Sequence, residues 1–323
     1  MDVTVMQSEA SSSLFQELSV GRTTLPTRTR ESGELSAPEK LAAGWKKDAL
    51  LVPGTALVIL AMLLVSLVAQ LSFMGAISHT RNQQVLYSQF RESLANATAP
   101  TGQVANGALI ALGTPVALLE IPAIGVKEVV VEGTSSTQLM SGPGHSRDSV
   151  LPGQSGNAVV VGRQAGYGGP FARLGELKVN QKFSVTTGQG VQQYKVSAIR
   201  QGDQAPVGNP ASRLTLVSAT GMPFVPNKAL FVDADLTSPV QATPTQVLNQ
   251  SSLTKAERAF GGESGAWIAV ALWLQVLAVV VIAIVVAAVR WGKVQAWVVG
   301  LPLVLFVTLS MSEQVTRLLP NIL

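Results

Sequence analysis

The sequence predicts a mainly β domain, built as a closed barrel or a sandwich, that three transmembrane helices hold at a membrane. The chain is 47% hydrophobic and only 13% charged, whereas soluble domains carry about 25% charged residues. The apolar excess is concentrated in three long runs, and short β-type runs separated by glycine and proline lie between the first two. These observations indicate a membrane protein with one folded domain outside the bilayer.

The first apolar run, Leu50 to Phe73, carries no charge and one strongly polar residue, Gln70. A cleaved signal peptide has a short basic lead and an apolar stretch of about 7–15 residues. Here 49 residues precede a longer run, so we predict an uncleaved anchor over residues 50–73. Residues 1–49 have few large apolar side chains, which predicts a disordered cytoplasmic tail.

The second and third runs follow the folded region. Ala266 to Val289 is interrupted only by Gln275, and Val294 to Met311 is shorter. At about 1.5 Å per residue, each run can cross most of a ~30 Å hydrocarbon layer. We therefore predict transmembrane helices over residues 266–289 and 294–312.

Basic residues flank the three runs on one side. Lys46 and Lys47 precede the first run, and the loop Arg290–Lys293 joins the second to the third. Basic flanks tend to stay in the cytoplasm. We expect a multi-pass protein of the cell membrane, with a cytoplasmic N-terminus and residues 78–264 outside the cytoplasm.

Two connections join the membrane runs to the folded region. In residues 78–115, Leu86, Phe90 and Leu94 recur every four positions, which predicts an amphipathic helix on the outer domain or on the membrane surface. A flexible linker completes this segment, and residues 237–265, rich in proline and polar residues, form the second linker.

Residues 116–236 have the texture of a β domain. Short runs of β-branched and apolar residues alternate there with glycine and proline. Seven strands are predicted, at residues 117–121, 129–132, 158–161, 182–187, 192–199, 214–218 and 230–234. So many short strands favour a closed barrel or a sandwich over a βαβ sheet.

The composition excludes several kinds of site. The chain has no cysteine and two histidines, which excludes disulfides, thiolate metal sites, a cysteine nucleophile and a histidine-rich metal site. We predict no metal and no cofactor. Basic residues form no dense stripe, so nucleic acid is not an expected partner.

Six ordered segments of the β domain form a recognisable series: Leu119–Val126, Val131–Thr134, Ser141–His145, Pro152–Asn157, Tyr167–Phe171 and Leu214–Val217. In order and spacing they resemble the sortase family, and within it the class E members. The resemblance implies an eight-stranded barrel over residues 116–236. It also implies, for the family, transpeptidation of proteins onto the Gram-positive cell wall or into pili.

The family chemistry depends on a His, a Cys and an Arg, and this sequence departs from all three. Arg163 stands at the His position and Ala219 at the Cys position, while the Arg position holds Ala229, or Lys228 if the register differs by one. A methyl group is no nucleophile, and an arginine that stays protonated cannot relay protons as imidazole does. Ser218, beside Ala219, is expected to face away because successive strand side chains alternate.

These departures predict a pseudoenzyme, a catalytically inactive sortase-like protein that serves the cell envelope as a binding or assembly module. Its ligand would be a cell-surface protein or a cell-wall peptide. The possible peptide-groove residues are His145, Arg163, Gln164, Tyr167, Ser218 and Lys228. His145 carries a structural or a groove-lining role in this comparison.

Two other interpretations stay open. The chain could be a serine-based hydrolase or transpeptidase that uses Ser218, although the sequence offers no identifiable base. It could also be a purely structural element of an envelope complex. In either case the two C-terminal runs are additions to the usual single sortase anchor, and Gln275 within them predicts contact with another membrane protein.

Overall fold

The computed structural model describes residues 51–105, 107–258 and 261–323. The chain divides into two units, Met1–Ala56 and Leu57–Leu323, and the description below concerns the second. The predicted cytoplasmic tail, residues 1–49, lies outside the described residues. The predicted limits of the linkers stay predictions.

A long helix connects the first apolar run to the β domain. Helix α1, Leu51–Ala69, passes through a π-helical turn, Gln70–Met74, into helix α2, Gly75–Ala95. The barrel approaches this helix closely after the turn, since a Cβ added at Gly75 would lie 3.2 Å from the ring of Tyr167. Glycine at this position therefore permits the contact.

The amphipathic segment predicted from Leu86 and Phe90 belongs to α2. Both side chains are buried against Val129 and Val131 of the barrel. Of the two surfaces that the sequence left open, this helix therefore packs on the outer domain. Burial of each large apolar side chain stabilises the contact by about 1.5–3 kcal/mol.

The two later apolar runs form long helices after a short helix within the β domain. These are α3, Ser136–Leu139, then α4, Ala266–Trp291, and α5, Lys293–Leu318. Leu277 and Val280 of α4 pack on Val304 and Val307 of α5, and α1 joins the same cluster through partly buried apolar residues.

A polar contact also links the first helix to the last. The Ser66 hydroxyl on α1 lies 2.8 Å from the Thr308 hydroxyl on α5, and both residues are buried. In the described residues, three helices are long and apolar enough to cross a membrane: Leu57–Ala95, Ala266–Ala288 and Val294–Leu318. Most of their apolar surface stays exposed, as lipid-facing helices require.

Eight strands close into a barrel, which confirms the predicted fold class and selects the barrel over the sandwich. The strand order is β10-β8-β7-β3-β4-β5-β6-β9, and a separate hairpin, β1 (Val104–Ala105) with β2 (Ala108–Leu109), precedes it. The barrel strands are β3 Pro115–Ile121, β4 Val126–Glu132, β5 Gly144–His145, β6 Gly156–Val161, β7 Lys182–Thr187, β8 Gly190–Gln201, β9 Ser212–Met222 and β10 Val225–Leu236.

Each of the seven predicted strands lies within one of these eight. The additional strand, β5, has two residues that pair in parallel with β4 and antiparallel with β6. Alternation of side chains then sorts β9 into two faces. Leu214 and Leu216 belong to the barrel core, whereas Val217 and Ala219 belong to a second cluster on the other face.

Candidate functional site

The three positions that the resemblance aligns with the family's catalytic residues lie close together in the strand order, Arg163 just after β6, Ala219 on β9 and Ala229 on β10. Strand β6 pairs in parallel with β9, with Val161 opposite Val217, so Arg163 and Ala219 each follow this pair by two residues. Ala229 on β10 pairs directly with Ala219. We call Arg163, Ala219 and Ala229 the substituted site.

Strand pairing also distinguishes the two candidates for the family's Arg position. Residues directly opposite each other in an antiparallel pair share a face. Ala229 therefore shares the face of Ala219, and it is buried. Lys228 pairs instead with Thr220 and is exposed. No cationic side chain from β10 thus stands opposite the Cys position.

Arg163 is fully buried, and its charge is poorly compensated. Its Nη2 donates to the Ser136 hydroxyl at 2.7 Å, and its guanidinium lies 5.3 Å from the ring centroid of Tyr167. Its Nε and Nη1 have no hydrogen-bond partner among the described residues. Burial lowers the pKa of Arg163 to about 10, so the group is still protonated at neutral pH.

Tyr167 connects the substituted site to the membrane helices. Its hydroxyl lies 3.0 Å from the Thr316 hydroxyl of α5 and accepts from Gln70 Nε2 of the π-helical turn at 3.4 Å. Its backbone has a φ of 44°, which costs a non-glycine residue on the order of 1 kcal/mol or more. These contacts hold it in place.

Ser218 is buried and faces the barrel interior, because it alternates with Val217 and Ala219 along β9. Its hydroxyl has no hydrogen-bond partner among the described residues. A serine nucleophile needs an adjacent base, and none contacts Ser218 in this part of the chain. The neighbouring Thr220 hydroxyl donates to the Lys228 carbonyl at 3.3 Å.

His145 lies on β5 and is buried. Its Nδ1 lies 2.9 Å from Glu132 Oε2, and its Nε2 lies 2.9 Å from the Val150 carbonyl. Burial opposes protonation, but the charge and hydrogen bond of Glu132 outweigh it, so the pKa of His145 is raised. The ring therefore ties Glu132 of β4 to the Val150 carbonyl inside the fold.

The Ser149 hydroxyl also lies near this ring, 3.1 Å from His145 Nε2. The trio Glu132, His145 and Ser149 superficially has the composition of a hydrolase triad. However, the Ser149 hydroxyl donates to the Ser146 carbonyl and accepts from the Val159 amide, and all three side chains are buried. The arrangement holds a loop rather than presenting a nucleophile.

One residue at the substituted site escaped sequence reasoning. Ile322 is fully buried in the cluster that contains Leu139, Val161, Val217 and Ala219. The Gln164 backbone amide donates to the Ile322 carbonyl at 3.1 Å, while the Gln164 side chain binds the Gly221 carbonyl. The available signal was an apolar, proline-containing segment just after the last membrane run.

Comparisons with known proteins agree with this architecture. The family model of the sortase domain matches residues 119–237. Sortase D of Bacillus subtilis (strain 168) is 33% identical over 79 residues, which is 24% of this chain and 38% of that protein. The match thus spans well under two thirds of that relative.

Solved structures give more distant matches. A Clostridium perfringens sortase D5 transpeptidase has a TM-score of 0.40 at 20% identity, covering 50% of this chain and 99% of that one. Sortase C-1 of Actinomyces oris has a TM-score of 0.35 at 27% identity, covering 38% of this chain and 75% of that one. The domain match and the Bacillus relative thus show a sortase domain over residues 119–237 of this chain.

Proposed function

We propose that this chain is a membrane-anchored sortase-family protein without transpeptidase activity, and that its groove binds peptides of cell-surface proteins or of the cell wall. The observation that carries the proposal is the substituted site. A methyl group stands where acyl transfer needs a nucleophile, and a buried cation stands where it needs a base.

The chemistry of each position supports the inactive reading. Ala219 offers no thiolate or hydroxyl for a covalent intermediate. Arg163 has a pKa of about 10 even when buried, so it stays charged and cannot alternate between base and acid near pH 7. Ser218 does not replace the nucleophile, because its side chain is enclosed in the barrel.

Binding survives such substitutions, because an extended peptide is recognised by backbone hydrogen bonds and apolar pockets. Both features are present beside the substituted site. The Gln164 backbone amide donates to the carbonyl of Ile322 in an extended segment of the same chain, and Val161, Val217 and Ala219 form an apolar floor. Affinity here depends on shape and burial rather than on a reactive group.

The membrane arrangement supports an outward-facing domain with a lateral partner. The far end of α5 contacts the barrel through Thr316 and Tyr167, which agrees with a barrel on the side opposite the basic loop Arg290–Lys293. Gln275 is exposed within α4, and a polar side chain facing lipid is costly. A second membrane protein that accepts its amide is the proposed partner.

The activity proposal is tested on the full chain in lipid nanodiscs with a sorting-signal peptide and an amine acceptor. We expect intact-mass spectra without an acyl-enzyme adduct and reaction mixtures without cleaved or transferred peptide. A matched active sortase in the same discs is the positive control. Transpeptidation that Ser218→Ala abolishes would overturn the proposal and favour a serine mechanism.

A further inference from the structure

The segment after α5 turns into the substituted site. Helix α5 ends at Leu318, and Leu319 is extended, with φ −72° and ψ 158°. Pro320 explains this ending, because proline cannot continue a helix and forces the preceding residue toward extended geometry. We call Pro320–Leu323 the groove segment.

The groove segment binds the barrel as a peptide ligand would. The Ile322 side chain is fully buried against the floor residues Val161, Val217 and Ala219, and against Leu139 of α3. On the backbone, its carbonyl accepts from the Gln164 amide at 3.1 Å. The segment is therefore held by one apolar anchor, Ile322, which packs on adjacent strands, and by one main-chain hydrogen bond to the loop after β6.

Asn321 fixes the segment from the opposite side. Its Nδ2 donates to the carbonyls of Ala256 and Arg258, at 2.5 and 2.8 Å, and its backbone amide donates to the Gly261 carbonyl at 2.9 Å. The residue has no exposed surface. The backbone amide and the side-chain Nδ2 are thus both recognised, while Oδ1 has no hydrogen-bond partner among the described residues.

We propose that the groove segment is a ligand bound in cis, and that the site takes an extended peptide with a branched aliphatic residue preceded by an amide side chain. An external peptide of this kind must displace Ile322 before it can bind. This inference rests on the proposed peptide-binding function and adds its specificity and its regulation.

The membrane helices supply a means of release. The groove segment is continuous with α5, whose Thr316 contacts Tyr167 and whose Thr308 contacts Ser66 of α1. A displacement of α5 along or within the membrane would pull Ile322 from its pocket. A partner that binds the spans would in this way open the site to peptides.

The absence of cysteine from the sequence permits a direct test. Ala219→Cys places a single thiol under Ile322, and its alkylation rate by a water-soluble maleimide is measured on the full chain in nanodiscs. We compare it with deletion of Pro320–Leu323 and with Ile322→Asp in the same background. Ile322→Val is the conservative control, and Ser184→Cys on β7 reports any general loosening of the barrel.

We expect deletion and Ile322→Asp to raise the alkylation rate at position 219 by at least about tenfold, since a covered thiol reacts only when its cover opens. Ile322→Val and the thiol at position 184 should change little. An unchanged rate at position 219 after deletion would overturn the inference, and so would an equal rise at position 184.

A second arm asks whether the cover is a ligand. A soluble peptide with the sequence of residues 318–323 is added to the deletion variant, together with a copy carrying aspartate in place of Ile322. Saturable protection of the thiol by the first peptide alone supports the inference. If deletion of the groove segment exposes the thiol at position 219 but the first peptide does not protect it, the segment is only a structural cover and the inference is overturned. A different outcome would overturn the proposed partners instead. In that outcome the 318–323 peptide protects the thiol of the deletion variant, but peptides of surface proteins do not bind to it.

Discussion

Two of the three buried arginines of the outer domain, Arg163 and Arg200, differ in how their charges are compensated. Arg200 on β8 is paired with Asp233 on β10, with Nη2 2.9 Å from Oδ1, and stacks over Phe231 at 4.9 Å. Arg163 contacts the hydroxyl and the carbonyl of Ser136 and the ring of Tyr167. Among the described residues no carboxylate lies within salt-bridge distance of it, and Glu263 acts on its charge only from farther away.

This difference indicates which of the two buried arginines is explained by folding and which is not. A buried ion loses its hydration at a cost of several kcal/mol, and a close opposite charge offsets that cost. Arg200 satisfies this requirement, so it is explained by folding. Arg163 does not, and the sequence resemblance aligns it with the family's catalytic His, at a kind of position where local rules are often broken for function.

The largest effect should follow from breaking the compensated pair. Asp233→Ala leaves Arg200 buried and unpaired and also removes an acceptor of the Thr215 hydroxyl. We expect a loss of about 3–5 kcal/mol in the free energy of unfolding, measured as a lowered thermal midpoint in detergent. The matched control is Asp235→Asn, whose half-exposed pair with Arg213 should contribute under about 1 kcal/mol.

Removing the charge of Arg163 should change the free energy of unfolding by a smaller amount and in the opposite direction. Arg163→Met keeps much of the apolar stem and eliminates a buried cation, two of whose nitrogens have no hydrogen-bond partner in the described part of the chain. Replacing a poorly compensated buried ion with a hydrophobic residue is neutral or stabilising by about 1–4 kcal/mol. A thermal midpoint that falls as far as in Asp233→Ala would show that Arg163 is compensated after all, and would end the comparison.

A third buried ionisable residue, His145, makes the stability of the folded state depend on pH. The pKa of His145 is raised by Glu132, so protonated His145 favours the folded state. Its stabilisation is complete below the ordinary pKa of about 6.5 and declines as pH rises through the raised value.

We therefore expect the free energy of unfolding of the wild type, followed through its thermal midpoint, to fall across that range by about 1.4 kcal/mol for each unit of pKa shift. Glu132→Gln should weaken this decline, because it removes the charge responsible for the shift. The same slope in wild type and Glu132→Gln would assign the pH dependence to another group.

Much of the fold could be predicted from the sequence because it follows local patterns. Alternating apolar residues marked seven strands, and long uncharged runs marked the membrane helices. Strand β5 was not predicted because its two residues, Gly144 and His145, show no alternation of apolar and polar side chains. Its existence depends on pairing with β4 and β6, which are distant in the chain.

The site was predictable in position but not in environment. Arg163, Ala219 and Ala229 could be located by their order along family motifs, whereas the choice between Ala229 and Lys228 depends on cross-strand register. That Arg163 lacks a carboxylate partner is a tertiary property that no spacing reveals. Ile322 is the same kind of case, since it reaches Ala219 only through the path of α5.

The smallest effect concerns a thiol introduced beside the uncompensated charge. In Ala219→Cys, the nearby Arg163 cation should stabilise the thiolate and lower its pKa below the ordinary value of about 8.5, in opposition to the burial that raises it. Adding Arg163→Met removes the cation but keeps the cover by Ile322, so the pH midpoint of alkylation should rise by about one unit or less, under ~1.4 kcal/mol. Because neither variant supplies a proton carrier, neither should transpeptidate. An identical pH midpoint in the two variants would mean that the charge of Arg163 does not affect the thiol at position 219. The residues of the substituted site would then be neighbours without electrostatic coupling.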